Sequence, residues 1–138
     1  MHTKVEHEFK APSHMTESGA APAVVSPAPL LGTWHNTVPA TKDLVKIIIA
    51  ASGSGISVQA FGACTPSPCV WGTVPGIDYA ASVSSSPAVA FSAHYTFSFA
   101  QVILVGHLQG KYLEVETFTQ FTDGSGRSNL YTTDQMVK

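Results

Sequence analysis

Two cysteines, Cys64 and Cys69, carry the most reactive chemistry in this sequence. Two of the four residues between them are proline, which predicts the tip of a β-hairpin rather than a helix or a ladder. A disulfide across this tip would stabilise the fold by about 2 to 3 kcal/mol, whereas a reducing compartment would keep both thiols free. The pair is therefore open to four interpretations: a structural pair (bonded or free), a redox-labile disulfide, a metal site, or a cysteine nucleophile.

Histidines and paired carboxylates are the next candidates for metal binding, ligand binding or acid–base chemistry. A zinc site needs about four Cys or His ligands at characteristic spacings, and the two cysteines and scattered histidines do not provide them. We therefore predict no metal and no cofactor. His94 lies on the outward side of its strand, whereas His107 follows a glycine near a strand end and is a candidate ligand-binding residue at a barrel mouth. Glu114 and Glu116 share one strand face, about 7 Å apart, but they oppose the apolar side and predict a solvated surface.

A glycine-rich segment, Asp123 to Arg127, is similar to phosphate-binding and calcium-binding loops. No helix follows it to direct backbone amides at a phosphate, and it has too few carboxylates for calcium. We predict a hairpin turn.

Composition limits the possible partners. The chain has 138 residues, only 12% of them charged, and a net charge of −2, which predicts one domain without a nucleic-acid or anionic-membrane partner. No stretch reaches the roughly 20 apolar residues of a membrane helix. The N-terminus also lacks the apolar segment of a signal peptide, so the expected location is the cytoplasm.

The first 29 residues differ in kind from the rest. They are rich in proline and small residues, which predicts an extended tail that serves as a possible lid over the domain of residues 30 to 138. Ser13 to Met15 resembles a cloning scar, which would make residues 1 to 14 part of an expression tag.

Beyond residue 30 the chain shows strand patterns separated by turn residues. The strands are predicted at Leu31 to Val38, Leu44 to Ala51, Ile56 to Ala63, Val70 to Tyr79, Ala88 to Phe99, Gln101 to Leu108, Tyr112 to Phe121 and Ser128 to Val137. Short links without helices favour an all-β fold, an eight-stranded antiparallel up-and-down barrel. A β-sandwich is the alternative.

Alternation of residue types predicts the inner face of most strands. In the fifth predicted strand the odd positions are apolar or aromatic: Val89, Phe91, Ala93, Tyr95, Phe97 and Phe99. Odd positions are also predicted inside in the second strand, from Val45 to Ile49, and in the seventh, from Leu113 to Phe121. The sixth strand is apolar on both faces, so the pattern does not show which face points inward. We expect its outer face to be covered.

The segment Gly32 to Asn36, Gly-Thr-Trp-His-Asn, resembles the opening strand of calycin-type barrels, which include lipocalins, nitrobindin-like proteins and above all avidins. This resemblance implies a tryptophan, Trp34, that plugs one barrel end, and an asparagine, Asn36, that contributes to a ligand pocket. The further tryptophans of the avidin pattern are missing.

A second resemblance covers most of Leu30 to Lys138. The motifs F-G-A-C-x-P-x-P-C-x-W-G, at Phe61 to Gly72, and F-T-x-F-x-D-G-S-G-R-S-N, at Phe118 to Asn129, are similar to a small bacterial domain without an established activity. It supports the domain boundary and implies no mechanism.

Large aromatic residues among many small ones predict either an interdigitated core or a cavity. For a cavity, the candidate ligand-binding residues are Trp34, Asn36, Gln59, Phe61, Trp71, Phe91, Tyr95, Phe97, His107 and Thr117. The leading hypothesis is a barrel that holds an apolar or amphipathic small molecule. The alternatives are a cofactor-free cyclase or isomerase of natural-product biosynthesis that pre-organises its substrate, and an oligomeric interaction module.

Overall fold

A computed structural model describes residues 24–138, which form a closed barrel of eight antiparallel strands in sequence order. The strands are β1 (Gly32–Asn36), β2 (Leu44–Ser52), β3 (Gly55–Gly62), β4 (Cys69–Ala80), β5 (Ala88–Thr96), β6 (Ala100–Gln109), β7 (Tyr112–Phe121) and β8 (Leu130–Val137). The first strand pairs with the last, which closes the sheet and excludes the sandwich. The predicted all-β, eight-stranded antiparallel barrel is confirmed.

Most of the predicted tail, including the possible tag and lid, lies outside the described residues. A 3-10 helix, Ala28–Leu30, leads into β1. No helix among residues 24–138 has the length and apolar character needed to cross a membrane.

Three strands are shorter than predicted, and in two of them a turn ends the strand early. β1 ends at Asn36, whose side-chain oxygen accepts a hydrogen bond from the Val38 backbone N–H and forms an Asx turn. β5 ends at Thr96, because the Phe97 N–H donates to the Ala100 carbonyl in a tight turn into β6. β8 begins at Leu130 rather than at Ser128.

β-Bulges correct the predicted alternation at two positions. The register of β2 with β3 skips Val45, so Leu44 and not Val45 is buried. The register of β4 with β5 skips Val89, which is exposed while Ala88 is buried. The sequence pattern does not assign the inner face of the sixth strand. In the structure, Val102, Leu104 and Gly106 face inward and Ile103 faces outward.

One end of the barrel is closed. Leu30 and Trp34 are buried there, and the Trp34 indole N–H donates to the Leu30 carbonyl at 2.8 Å. Ser26 bonds to the β4–β5 connection through Ser86 and Ala88. The described end of the tail therefore crosses this closed end, where β1 begins.

The opposite end is open. Because neighbouring strands are antiparallel, this end collects four connections: residues 37–43, 63–68, 97–99 and 122–129. The buried core fills the barrel toward the closed end with residues such as Phe91, Leu104 and Leu113.

Candidate functional site

A cavity of about 500 Å³ occupies the open end of the barrel. Trp71, Phe97 and Phe99 line one side, called here the aromatic wall. Three threonines on β7 and β8 form a second side, the hydroxyl wall: Thr117, Thr119 and Thr132. β4, which carries Trp71, lies across the eight-stranded barrel from β8, so the two walls face a shared space.

A β-bulge places Trp71 in the cavity. The β3–β4 register passes from Ala60 and Gly72 directly to Phe61 and Val70, which leaves Trp71 without a cross-strand partner. Gly72 has a φ of +94°, a conformation that favours glycine. The extra residue reverses the alternation locally and turns the indole inward.

Gly62 makes room for that indole. A Cβ atom on Gly62 would lie 2.9 Å from the Trp71 Nε1 atom, closer than side chains pack. The Trp71 ring meets the Phe97 ring edge to face, with centroids 5.7 Å apart and planes at 86°. Aromatic pairs prefer this geometry, so the aromatic wall is held rigidly.

Tyr95 supports the aromatic wall from below. Its ring stacks on Phe97 at 5.6 Å, and Phe97 stacks on Phe99 at 5.5 Å. The Tyr95 hydroxyl accepts from the Ala60 N–H at 3.0 Å and donates to the Gly72 carbonyl at 2.8 Å. Burial raises the pKa of Tyr95, so the hydroxyl stays neutral. These backbone partners engage the hydroxyl at the bulge and give Tyr95 a structural role.

Thr117 carries an unpartnered hydroxyl in the hydroxyl wall. Its side chain lines the cavity and is only 5% exposed, and Oγ1 has no hydrogen-bond partner among the described residues. Leaving such a group unsatisfied costs about 1 to 3 kcal/mol. Buried polar atoms without partners are uncommon in native proteins. The Thr117 hydroxyl therefore lowers the stability of the fold unless a ligand supplies a partner.

Asp134 lies next along the inner face of β8, two residues beyond Thr132, and is 8% exposed. Its Oδ1 accepts from the Asn36 side-chain amide at 2.9 Å, while Oδ2 has no partner among residues 24–138. Burial raises the pKa of Asp134, and the charge of Asp43 raises it further, against the lowering effect of the Asn36 hydrogen bond. Asn36 also donates to the Leu44 carbonyl at 2.8 Å and thereby ties β1 to β2 below the cavity.

The raised pKa of Asp134 predicts a pH-dependent stability. Protonated Asp134 contributes to the free energy of unfolding, and this contribution is fully present below the ordinary aspartate pKa near 3.8. It is lost as the pH rises through the pKa of Asp134 in the folded protein. Because asparagine stays neutral, Asp134→Asn should gain stability relative to the wild type between pH 3.5 and pH 7, measured by urea unfolding at both values. A difference between variant and wild type that does not change with pH contradicts this assignment. Asp43→Asn, at the exposed neighbouring carboxylate, is the matched control and should show the smaller change.

The predicted ligand-binding residues divide into three groups. Trp71, Phe97 and Thr117 line the cavity. Trp34, Phe91 and Tyr95 are buried in the core, and Asn36 ties β1 to β2. Gln59, Phe61 and His107 lie on the outer face.

The structure gives a physical reason for each of the three outer positions. Gln59 and Phe61 alternate with the buried Val58 and Ala60 on β3, and the Lys46 ammonium lies 4.4 Å from the centre of the Phe61 ring. His107 follows the inward-facing Gly106 on β6 and stands opposite Glu114 in the register. These three side chains therefore point away from the cavity.

Sequence reasoning missed several cavity residues that the alternation already placed inside. Phe99, Thr119 and Phe121 lie on the predicted inner faces and line the cavity, although they are not among the predicted ligand-binding residues. Asp134 was missed because a carboxylate is unexpected at an inward position, although β8 alternates buried and exposed residues around it.

The cavity rim contains the cysteine pair. Cys64 and Cys69 form a disulfide with Cα atoms 5.4 Å apart, and both line the cavity. Disulfides are typical of oxidising compartments, so this bond does not favour the predicted cytoplasmic location. In the part of the chain that the structure describes, no three His, Cys, Asp or Glu side chains are grouped as metal ligands.

The glycine-rich segment is a turn beside the same rim. The Arg127 guanidinium pairs with Asp123 at 2.9 Å and lies 3.9 Å from the centre of the Phe121 ring. Hydrogen bonds from Ser125, together with Arg127, lower the pKa of Asp123 to about 2. The predicted hairpin turn is confirmed.

The outer face carries a second apolar surface, the outer strip, formed by Ile77, His94, Ile103, Phe118 and Tyr131. The register places His94 beside Ile103, Ile103 beside Phe118, and Phe118 beside Tyr131. The Tyr131 hydroxyl donates to Glu116 at 2.6 Å, and Glu114 accepts from Gln135, so both glutamates lie on the predicted outer face.

Comparisons of the chain with family models, curated proteins and solved structures found no match.

Proposed function

We propose that the barrel binds an apolar or amphipathic small molecule in the cavity at its open end. The observation that carries the proposal is a cavity of about 500 Å³ beside a rigid aromatic wall, in a barrel whose other end is filled. This volume lies within the usual range for small-molecule sites, about 300 to 1,000 Å³. Gly62, Gly72 and the Tyr95 hydroxyl all serve to hold Trp71 at this site.

The chemistry of the cavity wall supports a largely apolar ligand. Among residues 24–138, the charged side chains at the cavity are Lys42 and Asp43 at the rim, while aromatic, aliphatic and threonine side chains line the interior. Each 100 Å² of apolar surface removed from water contributes about 2.5 kcal/mol before the costs of association. We therefore expect dissociation constants on the order of micromolar.

The other two hypotheses stay predictions. A cyclase or isomerase would use the same cavity. Within residues 24–138, the ionisable side chains that line it are Lys42 and Asp43 at the rim, and they do not favour catalysis over binding. An oligomeric module would use the outer strip, but no contact in the structure shows what covers that strip. The resemblance to calycin-type barrels likewise stays a prediction beyond the barrel architecture itself.

Two tryptophan substitutions on neighbouring strands test where binding occurs. Thr132, on β8, lines the cavity, whereas Gln120, on β7, is exposed on the outer face beside the outer strip. Thr132→Trp should fill the cavity and weaken binding of the neutral fluorescent probe N-phenyl-1-naphthylamine at least about tenfold, or 1.4 kcal/mol. Gln120→Trp should leave the dissociation constant within about twofold.

Fluorescence titration of the wild type and both variants gives the result. Loss of binding in Gln120→Trp alone would place the probe on the outer strip and contradict the proposal. No saturable binding by the wild type would also contradict it.

A further inference from the structure

The unpartnered hydroxyl of Thr117 points to a specific ligand group. It is nine-tenths buried, lines the cavity, and belongs to β7, whose rigid register with β8 places Thr132 directly beside it. A threonine hydroxyl both donates and accepts a hydrogen bond. A ligand that reaches this depth with an apolar group leaves both capacities unused.

A second unpartnered oxygen lies on the same inner face. Asp134 follows Thr132 by two residues on β8, and its Oδ2 lacks a partner among the described residues. A carboxylate oxygen accepts hydrogen bonds and repels other anions. Asp134 is not among the residues that line the cavity, so a ligand beside Thr117 experiences its negative charge without contacting it. That charge disfavours a carboxylate relative to a neutral polar group.

The aromatic wall specifies the rest of the ligand. Phe97 and Phe99 stack with planes only 10° apart, and Trp71 meets Phe97 edge to face. Aromatic rings pack against such side chains in offset-stacked or edge-to-face contacts. A planar ring system fits this wall better than a flexible chain does, because it loses less conformational freedom on binding.

We propose that the ligand is a neutral planar aromatic compound with a hydroxyl group, which forms a hydrogen bond with Thr117. This proposal rests on the proposed function and adds the ligand class. A ligand hydroxyl group can either donate a hydrogen bond to the Thr117 hydroxyl or accept one from it, whereas an ether or a carboxylate can only accept. Fatty acids and aromatic acids are thereby disfavoured relative to phenols and aromatic alcohols.

A matched ligand series tests the class. The compounds are fluorene, 2-hydroxyfluorene and fluorene-2-carboxylate, which share one ring system, and each displaces N-phenyl-1-naphthylamine from the full chain. For the wild type we expect 2-hydroxyfluorene to bind about tenfold more tightly than fluorene, and the carboxylate to bind more weakly than fluorene.

A matched pair of variants tests the residue. Thr117→Val keeps the shape of the side chain and removes the hydroxyl, so it should bind fluorene within about twofold of the wild type and lose the preference for 2-hydroxyfluorene. Thr133→Val, on the exposed face of β8, should keep that preference. Thermal unfolding verifies that both variants fold.

The outcomes separate the two proposals. Equal affinities for fluorene and 2-hydroxyfluorene in the wild type would overturn the ligand class and leave the proposed function standing. A preference that persists in Thr117→Val would overturn the role of Thr117. If none of the compounds displaces the probe, and the probe itself does not bind, the proposed function fails.

Discussion

Replacing Trp71 with alanine is expected to weaken binding of N-phenyl-1-naphthylamine about 30-fold, or about 2 kcal/mol. The indole forms the part of the aromatic wall that lies across the barrel from the threonines, and it meets both Tyr95 and Phe97 edge to face. Its removal takes away the largest ring in the cavity and leaves Phe97 without one of its aromatic contacts. Fluorescence titration measures the change.

The second tryptophan of the chain gives the control. Trp34 is buried at the closed end, where its indole N–H bonds to Leu30. Trp34→Phe should lower the stability through loss of that hydrogen bond, by about 1 kcal/mol, and leave probe affinity within about twofold. Equal losses of affinity in both variants would show that Trp71 acts through global stability and not at the site.

Replacing Gly106 with alanine is expected to destabilise the barrel by about 3 kcal/mol. Gly106 faces inward on β6, and an added Cβ atom would overlap the ring of Phe91, which is fully buried on the neighbouring strand. A close-packed interior cannot absorb this volume without moving the ring or the backbone. Urea unfolding of the wild type and the variant measures the loss.

A double variant isolates the cause. Phe91→Leu alone leaves a cavity, but in Gly106→Ala it removes the overlap, so the combined loss should be smaller than the sum of the two. Additive losses would contradict the overlap. A Gly106→Ala stability within about 0.5 kcal/mol of the wild type would contradict the close packing of this half of the barrel.

The architecture was predictable because its signals are local. Turn residues separate the strands at nearly every boundary, and alternating apolar residues show the inner face of β7 along its whole length. Closure of the sheet follows from eight strands joined by short links. Thr117 lies on the predicted inner face because no bulge interrupts β7.

The site was only partly predictable. Alternation of residue types does not show where bulges occur or which inward-facing side chains line the cavity. One skipped residue turns Trp71 inward, and similar irregularities reverse Val45 and Val89. The aromatic ring of Phe61 favours a ligand-binding role, but the strand pattern of β3 places Phe61 on the face opposite the buried residues. The sequence also contains no signal that one oxygen of Asp134, at an inward position of β8, has no hydrogen-bond partner within residues 24–138.

Methyl NMR spectroscopy of the full chain with N-phenyl-1-naphthylamine tests the central claim most directly, because ring currents of the bound probe shift nearby methyl resonances. Leu44 and Val102 line the cavity, Leu30 and Leu113 are buried toward the closed end, and Ile103 lies on the outer strip. We predict saturable shifts for Leu44 and Val102, with Leu30, Leu113 and Ile103 unchanged. Shifts confined to Ile103, or no saturable shift at the cavity residues, would contradict a ligand-binding cavity at the open end of the barrel.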